Sequence, residues 1–125
     1  MADASAKLSN YRQAPRKVRL VADLVRGKSV VRALAILQAL PKRASEPMEK
    51  LIRSAAANAT VSGATQAELY ISSIQVNKGL TLKRSMPRAR GRAFPIHKHN
   101  SHITLELSRK AKAQVASPKV ETAAK

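Results

Sequence analysis

The sequence predicts an α+β fold in which three helices pack on a small antiparallel sheet and a long β-hairpin arm projects from it. Three observations carry this reading. Apolar side chains recur with a helical period from Pro15 to about Gly63, and from Leu69 onward the period becomes two. Between the period-two segments lies "KRSMPRARGRAFPIHKHNSH", Lys83 to His102, which holds six Lys and Arg and no acid. At 125 residues the chain has room for one domain, expected over residues 1–107, with the arm over about residues 77–102 as part of it.

The first helix is "PRKVRLVADLVR" from Pro15 to Arg26. Val18, Val21, Ala22 and Val25 stand at i, i+3, i+4 and i+7, while Arg16, Lys17, Arg19 and Asp23 fall on other faces. Pro15 suits a first turn, and Gly27 can adopt the left-handed conformation that ends a helix. The second helix follows at once: Ser29 is its N-cap, Val30, Ala33, Leu34 and Leu37 form its stripe, and Pro41 stops it. The link Gly27-Lys28 leaves room only for a sharp corner. The third helix starts near Ser45, with Glu46 and Glu49 in the positive field of its first turn, where Pro47 is tolerated. Its stripe of Met48, Leu51, Ile52, Ala55 and Ala59 narrows to small residues that admit a close neighbour, and Gly63 ends it.

The strands come next. Leu69 and Ile71 alternate in one parity, Ile74 and Val76 in the other, so Ser72-Ser73 holds a bulge or bend. Ile103, Leu105 and Leu107 mark a second strand, and Ala4 to Tyr11 supplies a third at the edge. Joining the second strand to the first as an antiparallel pair makes the basic stretch either a very long loop or a hairpin arm. Structureless loops beyond about 12–15 residues are uncommon in compact domains. An arm of about a dozen residues per side, at roughly 3.3 Å each, would reach on the order of 40 Å. Such a ribbon buries little and repels itself, so a partner has to order it. Residues 108–125, "SRKAKAQVASPKVETAAK", have the composition of a disordered basic tail.

Charge narrows the function. Twenty-four Lys and Arg against seven Asp and Glu leave a formal charge of +17, which calls for a polyanionic partner: nucleic acid first, then a membrane surface or an acidic protein. No apolar run approaches the roughly 20 residues of a membrane span. The start "MADASAKLSN" lacks the apolar core of a signal peptide, so a cytoplasmic address is expected. With no Cys, there are no disulfides, thiolate metal sites or Cys nucleophiles. Tyr11, Tyr70 and Phe94 are the full set of aromatics, too few for a base-stacking platform, so phosphate and groove contacts must dominate.

Catalytic readings fare poorly. His97 and His99 would share a face of an extended strand, and His102 lies nearby, but no Asp or Glu occurs between Glu68 and Glu106 to orient an imidazole or complete a metal shell. Histidines bonding to phosphate or ribose along an RNA-facing arm fit better. "RGKS" at Arg26 to Ser29 lacks the upstream glycine of a phosphate loop, and four glycines build no Gly-rich cradle. No enzyme, cofactor, metal or small-molecule substrate is expected. Within the arm, Arg outnumbers Lys at the centre, consistent with planar, bidentate contacts to phosphate.

"APRKVRLVADLVRGK" at Ala14 to Lys28, "KLIRSAAANA" at Lys50 to Ala59 and "LKRSMPRARGRA" at Leu82 to Ala93, followed by "SHIT", carry a resemblance. In this order, from about Tyr11 to Leu107, they resemble the bacterial large-subunit ribosomal protein twenty-two family. The resemblance implies a small body on the outside of the large subunit near the exit of the nascent-peptide tunnel, and a hairpin reaching inward through the rRNA. Its tip, here Met86, Pro87, Arg88, Ala89, Arg90, Gly91, Arg92 and Ala93, would line the tunnel wall beside another ribosomal protein and the nascent chain. It further implies a role early in subunit assembly, and macrolide tolerance arising at Leu82, Lys83 and Arg84. Arg88, Arg90 and Arg92 would neutralise phosphate at the tip, and Arg12, Arg16, Lys17, Arg19, Arg26 and Lys28 would fix the body on the rRNA. Lys78, Lys83, Arg84, Lys98, His99 and His102 complete the expected rRNA-contacting set. The chain departs from the family at "FPIHKHN", where relatives are more cationic, and Pro95 removes a ladder donor, which puts the pairing opposite it in doubt. Two other readings stand beside this one: a DNA-bending architectural protein with basic β-arms, and an RNA-cleaving enzyme using His97 and His99.

Overall fold

The helical part of the sequence folds where its apolar spacing puts it. The computed structural model describes residues 2–110. Strand β1 (Ala4–Tyr11) leads into helix α1 (Pro15–Val25), whose stripe Val18, Val21, Ala22 and Val25 is fully buried. Gly27, at φ +79°, turns the chain out of the helix. Ser29 caps α2 (Val30–Ala39), its hydroxyl accepting from the Arg32 N–H at 3.3 Å. Val30, Ala33 and Leu37 are buried, and Leu34 only half-buried. In α3 (Ser45–Val61) Met48, Leu51, Ile52, Ala55 and Ala59 are all buried, and Gly63 at φ +87° follows its end. The alanines let α3 lie close on β1, where Asn58 donates to the Ser5 carbonyl at 2.9 Å.

Four more strands complete the chain: β2 (Leu69–Lys78), β3 (Leu82–Pro87), β4 (Ala93–Lys98) and β5 (Ser101–Arg109). β5 is the middle of a three-stranded antiparallel sheet of order β1-β5-β2. Its residues Ser101, Ile103, Leu105 and Leu107 are buried in strict alternation. β2 keeps both of its parities facing inward because the ladder shifts between Ile71 and Ser73, so Leu69 and Ile71 are buried before the bulge and Ile74 and Val76 after it. The body also runs past the boundary expected at residue 107. Ser108 and Arg109 stay paired with Tyr70 and Leu69, the Asp3 carboxylate accepts the Arg109 backbone N–H at 2.8 Å, and the Lys110 N–H donates to the Glu68 carbonyl at 2.9 Å. The rest of the expected tail lies outside the described residues.

The open edge of β2 is closed by its own helices. The corner Gly27-Lys28 pairs with Ile71: the Gly27 N–H donates to the Ile71 carbonyl at 3.2 Å, and the Ile71 N–H to the Lys28 carbonyl at 2.9 Å. Farther along, Arg26 Nη2 donates to the Ile74 carbonyl at 3.0 Å, and Arg19 donates through Nε and Nη2 to the Val76 carbonyl at 3.3 and 3.0 Å. Guanidinium groups thus occupy acceptors that would otherwise invite another strand.

β3 and β4 form a separate two-stranded ribbon, paired from Leu82↔Lys98 to Pro87↔Ala93. Pairing along the expected arm is therefore interrupted rather than continuous. The body ladder ends at Lys78↔Ser101, and between it and the ribbon residues 79–81 face only residues 99 and 100. This offset is bridged by one backbone bond, from the Gly79 N–H to the Asn100 carbonyl at 2.8 Å. Gly79 suits this crowded crossing, since a Cβ there would stand 3.1 Å from His102 Nε2 and 3.2 Å from Asn100 Cβ and would push these neighbours back by a few tenths of an ångström.

Two substitutions test the packing. Ala55→Leu overfills the interface under α3 and should cost about 1–3 kcal/mol, read as a lower urea midpoint, while exposed Ala57→Leu should stay within about 0.5 kcal/mol. Arg19→Ala should cost about 1 kcal/mol through the missing edge bonds, again read as a lower urea midpoint, whereas Arg90→Ala, at the ribbon tip, should leave the midpoint unchanged.

Candidate nucleic-acid interface

The ribbon exposes almost every side chain it has. Of its twelve strand residues only Leu82 and Ile96 are half-buried, and the rest are exposed. Its tip is closed by the Arg88 N–H donating to the Arg92 carbonyl at 2.8 Å. Antiparallel pairs alternate between bonded and non-bonded. Counting back from Arg88/Arg92, the bonded pairs are Met86/Phe94, Arg84/Ile96 and Leu82/Lys98, and the non-bonded ones include Ser85/Pro95 and Pro87/Ala93. Both prolines therefore sit where an N–H would point away from the partner strand, and the ladder continues opposite Pro95 without a break. This removes the doubt attached to that residue. At the turn Arg90 takes φ 64°, ψ 30° and Gly91 φ 71°, two successive left-handed residues. Glycine adopts this freely, whereas for Arg90 it costs about 1–2 kcal/mol.

Pairing sorts the ribbon into two faces. Leu82, Arg84, Met86, Phe94, Ile96 and Lys98 share one, and Lys83, Ser85, Pro87, Ala93, Pro95 and His97 the other. On the first, the Arg88 guanidinium lies 4.8 Å over the Phe94 ring, a cation–π contact of about 0.5–1 kcal/mol at an exposed site. Sequence reasoning counted Phe94 among the aromatics without assigning it a role; the parity of the turn is the signal that sets this ring beside an arginine. Both faces carry cations. Among the described residues the ion pairs, Arg26–Asp23, Lys50–Glu46, Arg53–Glu49 and Arg109–Asp3, all lie in the body. Lys83, Arg84, Arg88, Arg90, Arg92 and Lys98 have no protein counter-ion there.

The body cations divide. Arg12, Arg16 and Lys17 are placed around the start of α1, and Lys78 is exposed at the end of β2. Arg19 and Arg26 hold the sheet edge as described, with Arg26 also paired to Asp23, and Lys28 contributes its carbonyl to the same edge. The histidines separate as well. His97 and His99 stack with ring centroids 6.3 Å apart, and His99 Nδ1 lies 3.5 Å from the Thr81 hydroxyl. His102 is half-buried, and its Nδ1 accepts the Asn10 backbone N–H at 3.0 Å, which supports the irregularity in β1 between Leu8 and Tyr11. Asn10 itself has φ 56°. Four of the expected contact residues converge: Arg16, Arg19, Lys78 and His99, with Ala14 and Pro15, line a notch of about 350 Å³ at the foot of the ribbon.

Comparison with known proteins identifies the chain's relatives. The family described as ribosomal protein L22p/L17e matches residues 6–108, which include the whole ribbon. The chain is 50% identical over 111 residues to a protein of Lactobacillus helveticus named large ribosomal subunit protein uL22, covering 88% of this chain and 95% of that one. Proteins of the same name from Mycoplasma mycoides and Geobacter sulfurreducens are each 50% identical, over 107 and 109 residues, covering 85% and 86% of this chain and 96% and 98% of theirs. The length of the match, the paired strands around an acid-free arginine tip and the helices that brace them lead to one assignment: the chain belongs to the ribosomal protein L22p/L17e family.

Proposed function

We propose that this chain is a non-enzymatic structural constituent of the large ribosomal subunit in the cytoplasm, and that it binds large-subunit rRNA along its ribbon and the exposed cations around α1. The observation that carries the reading is a ribbon whose six Lys and Arg side chains have no counter-ion among the described residues, on a chain with a formal charge of +17. A two-stranded ribbon with no core of its own gains little from folding alone. Phosphates supply both the neutralisation and the surface it lacks. Arg84, Arg88, Arg90 and Arg92 offer planar forks suited to phosphate oxygens, and the left-handed pair Arg90-Gly91 turns the chain tightly between them.

The finer reading follows the family. The tip, Met86 to Ala93, lines the peptide exit tunnel and touches the nascent polypeptide, neighbouring large-subunit proteins flank the ribbon and the body, and the protein supports early subunit assembly. The cations Arg12, Arg16, Lys17, Lys78, Lys83 and Lys98 grip rRNA directly. Arg19 and Arg26 contribute through the donors left over from the sheet edge.

Two measurements check this. Native protein from lysate should co-sediment in stoichiometric amount with the large subunit on a sucrose gradient after a high-salt wash; recovery at the top of the gradient, or with DNA, would contradict it. Replacing Arg88, Arg90 and Arg92 together by Gln should reduce the slope of log affinity for large-subunit rRNA against log salt by roughly 0.7–0.9 for each phosphate that is no longer neutralised. An unchanged slope would remove the tip from the rRNA interface.

A further inference from the structure

We propose that the notch at the foot of the ribbon seats one backbone phosphate of RNA, and that this phosphate locks the ribbon to the body. The proposal rests on the rRNA-binding reading above and adds a defined site and a mechanical consequence to it.

The notch draws on three separate pieces of chain. Arg16 and Arg19 come from α1, Lys78 is the last residue of β2, and His99 lies in the link between β4 and β5. Among the described residues no carboxylate lines it. Arg19 is held in place before any ligand arrives, because its Nε and Nη2 are both committed to the Val76 carbonyl. A guanidinium fixed in this way presents its remaining donors at little entropic cost. The first turn of α1 adds to the field: it contains no acid, and its N-cap, Ala14, has no side chain to satisfy the helix N–H groups. Pro15 removes one orphan donor, whereas the Arg16 N–H remains without an intrahelical acceptor. Placing Arg16 and Lys17 in such a turn opposes the helix dipole, and an anion in the notch relieves that conflict.

The position of the notch gives it a second role. Lys78 is the last residue of the body ladder before the offset, and His99 lies on the ribbon side of Asn100. Across the gap the ladder has one backbone bond, Gly79 to Asn100. An anion gripped at once by Arg16, Arg19 and Lys78 on the body and by His99 on the ribbon is a strut over the weakest point of the hairpin. His99 in turn stacks on His97, which is paired with Lys83, so the strut connects to the ribbon ladder.

The test uses the full chain, NMR signals of the three histidine rings and of the Arg16 and Gly79 amides, and two probes at matched ionic strength: inorganic phosphate and a short single-stranded RNA, each against chloride. His99 and the Arg16 amide should titrate together and saturate with phosphate, while His102 stays unmoved, and exchange of the Gly79 amide should slow. Lys78→Ala and Arg16→Ala should each weaken the apparent affinity about tenfold, and Lys78→Arg should restore it. Saturation by RNA at far lower concentration than by phosphate supports a nucleic-acid phosphate; saturation by inorganic phosphate with no gain from RNA overturns the RNA assignment. Shifts that follow ionic strength alike with chloride, or that persist in both Ala variants, overturn the site. If a variant combining Arg16→Ala and Lys78→Ala binds large-subunit rRNA as tightly as the parent, the notch is wrong and the general reading survives. Failure of the parent to bind rRNA would remove both.

Discussion

Everything distinctive about this molecule depends on the ladder between β2 and β5. It closes the core, because the buried residues of both strands face the three helices, and it carries the ribbon, because the same two strands lead into β3 and β4. A ladder with one end in a hydrophobic core and the other in a charged, exposed ribbon has a steep gradient of stability along its length. At the core end, side chains such as Ile71, Leu105 and Leu107 are inaccessible to water, each contributing about 1.5–3 kcal/mol. At the far end only backbone bonds and a few cross-strand contacts remain. The offset at residues 79–81 marks the boundary between the two regimes.

Positive charge is put to two different uses. In the body, guanidinium groups of α1 and the residue after it satisfy carbonyls on the outer edge of β2, so part of the charge is consumed internally as hydrogen bonding. In the ribbon, the cations face outward from both surfaces, and among the described residues none of them has an ion-pair partner. A run of like charge on a thin ribbon is unfavourable in isolation, and a polyanion is the kind of partner that relieves such repulsion, through release of bound counter-ions. The fold therefore separates a body built on a hydrophobic core from a ribbon with almost no buried side chain, and joins them at a crowded glycine crossing.

The backbone solves two local problems with opposite means. Both ribbon prolines occupy positions whose N–H the ladder does not use, which stiffens the strands without breaking them. The turn between them needs left-handed residues, and the chain meets this with one glycine and one arginine. Keeping Arg90 there places a cation at the extreme tip at the cost of local strain, an expense that makes sense where that charge touches something.

By itself the sequence determined the elements and their inward faces. The spacing in α1 and α3, the change of period after Gly63 and the parity switch around Ser72 each name the residues found in the core, because burial acts on every residue through a period set by local geometry. Family motifs were equally legible, since they are strings of residues. What only the tertiary structure decided is which cations are committed inside the fold. Arg19 and Arg26 look no different in sequence from Arg16 or Arg12, yet the packing of α1 on β2 directs their guanidiniums to the sheet edge, across 57 and 48 residues of chain. In the same way the convergence of Arg16, Lys78 and His99, the bond from Asn10 to His102 and the tolerance of Pro95 follow from strand register. Register is a relation between distant segments, fixed by the whole ladder at once, and no local period encodes it.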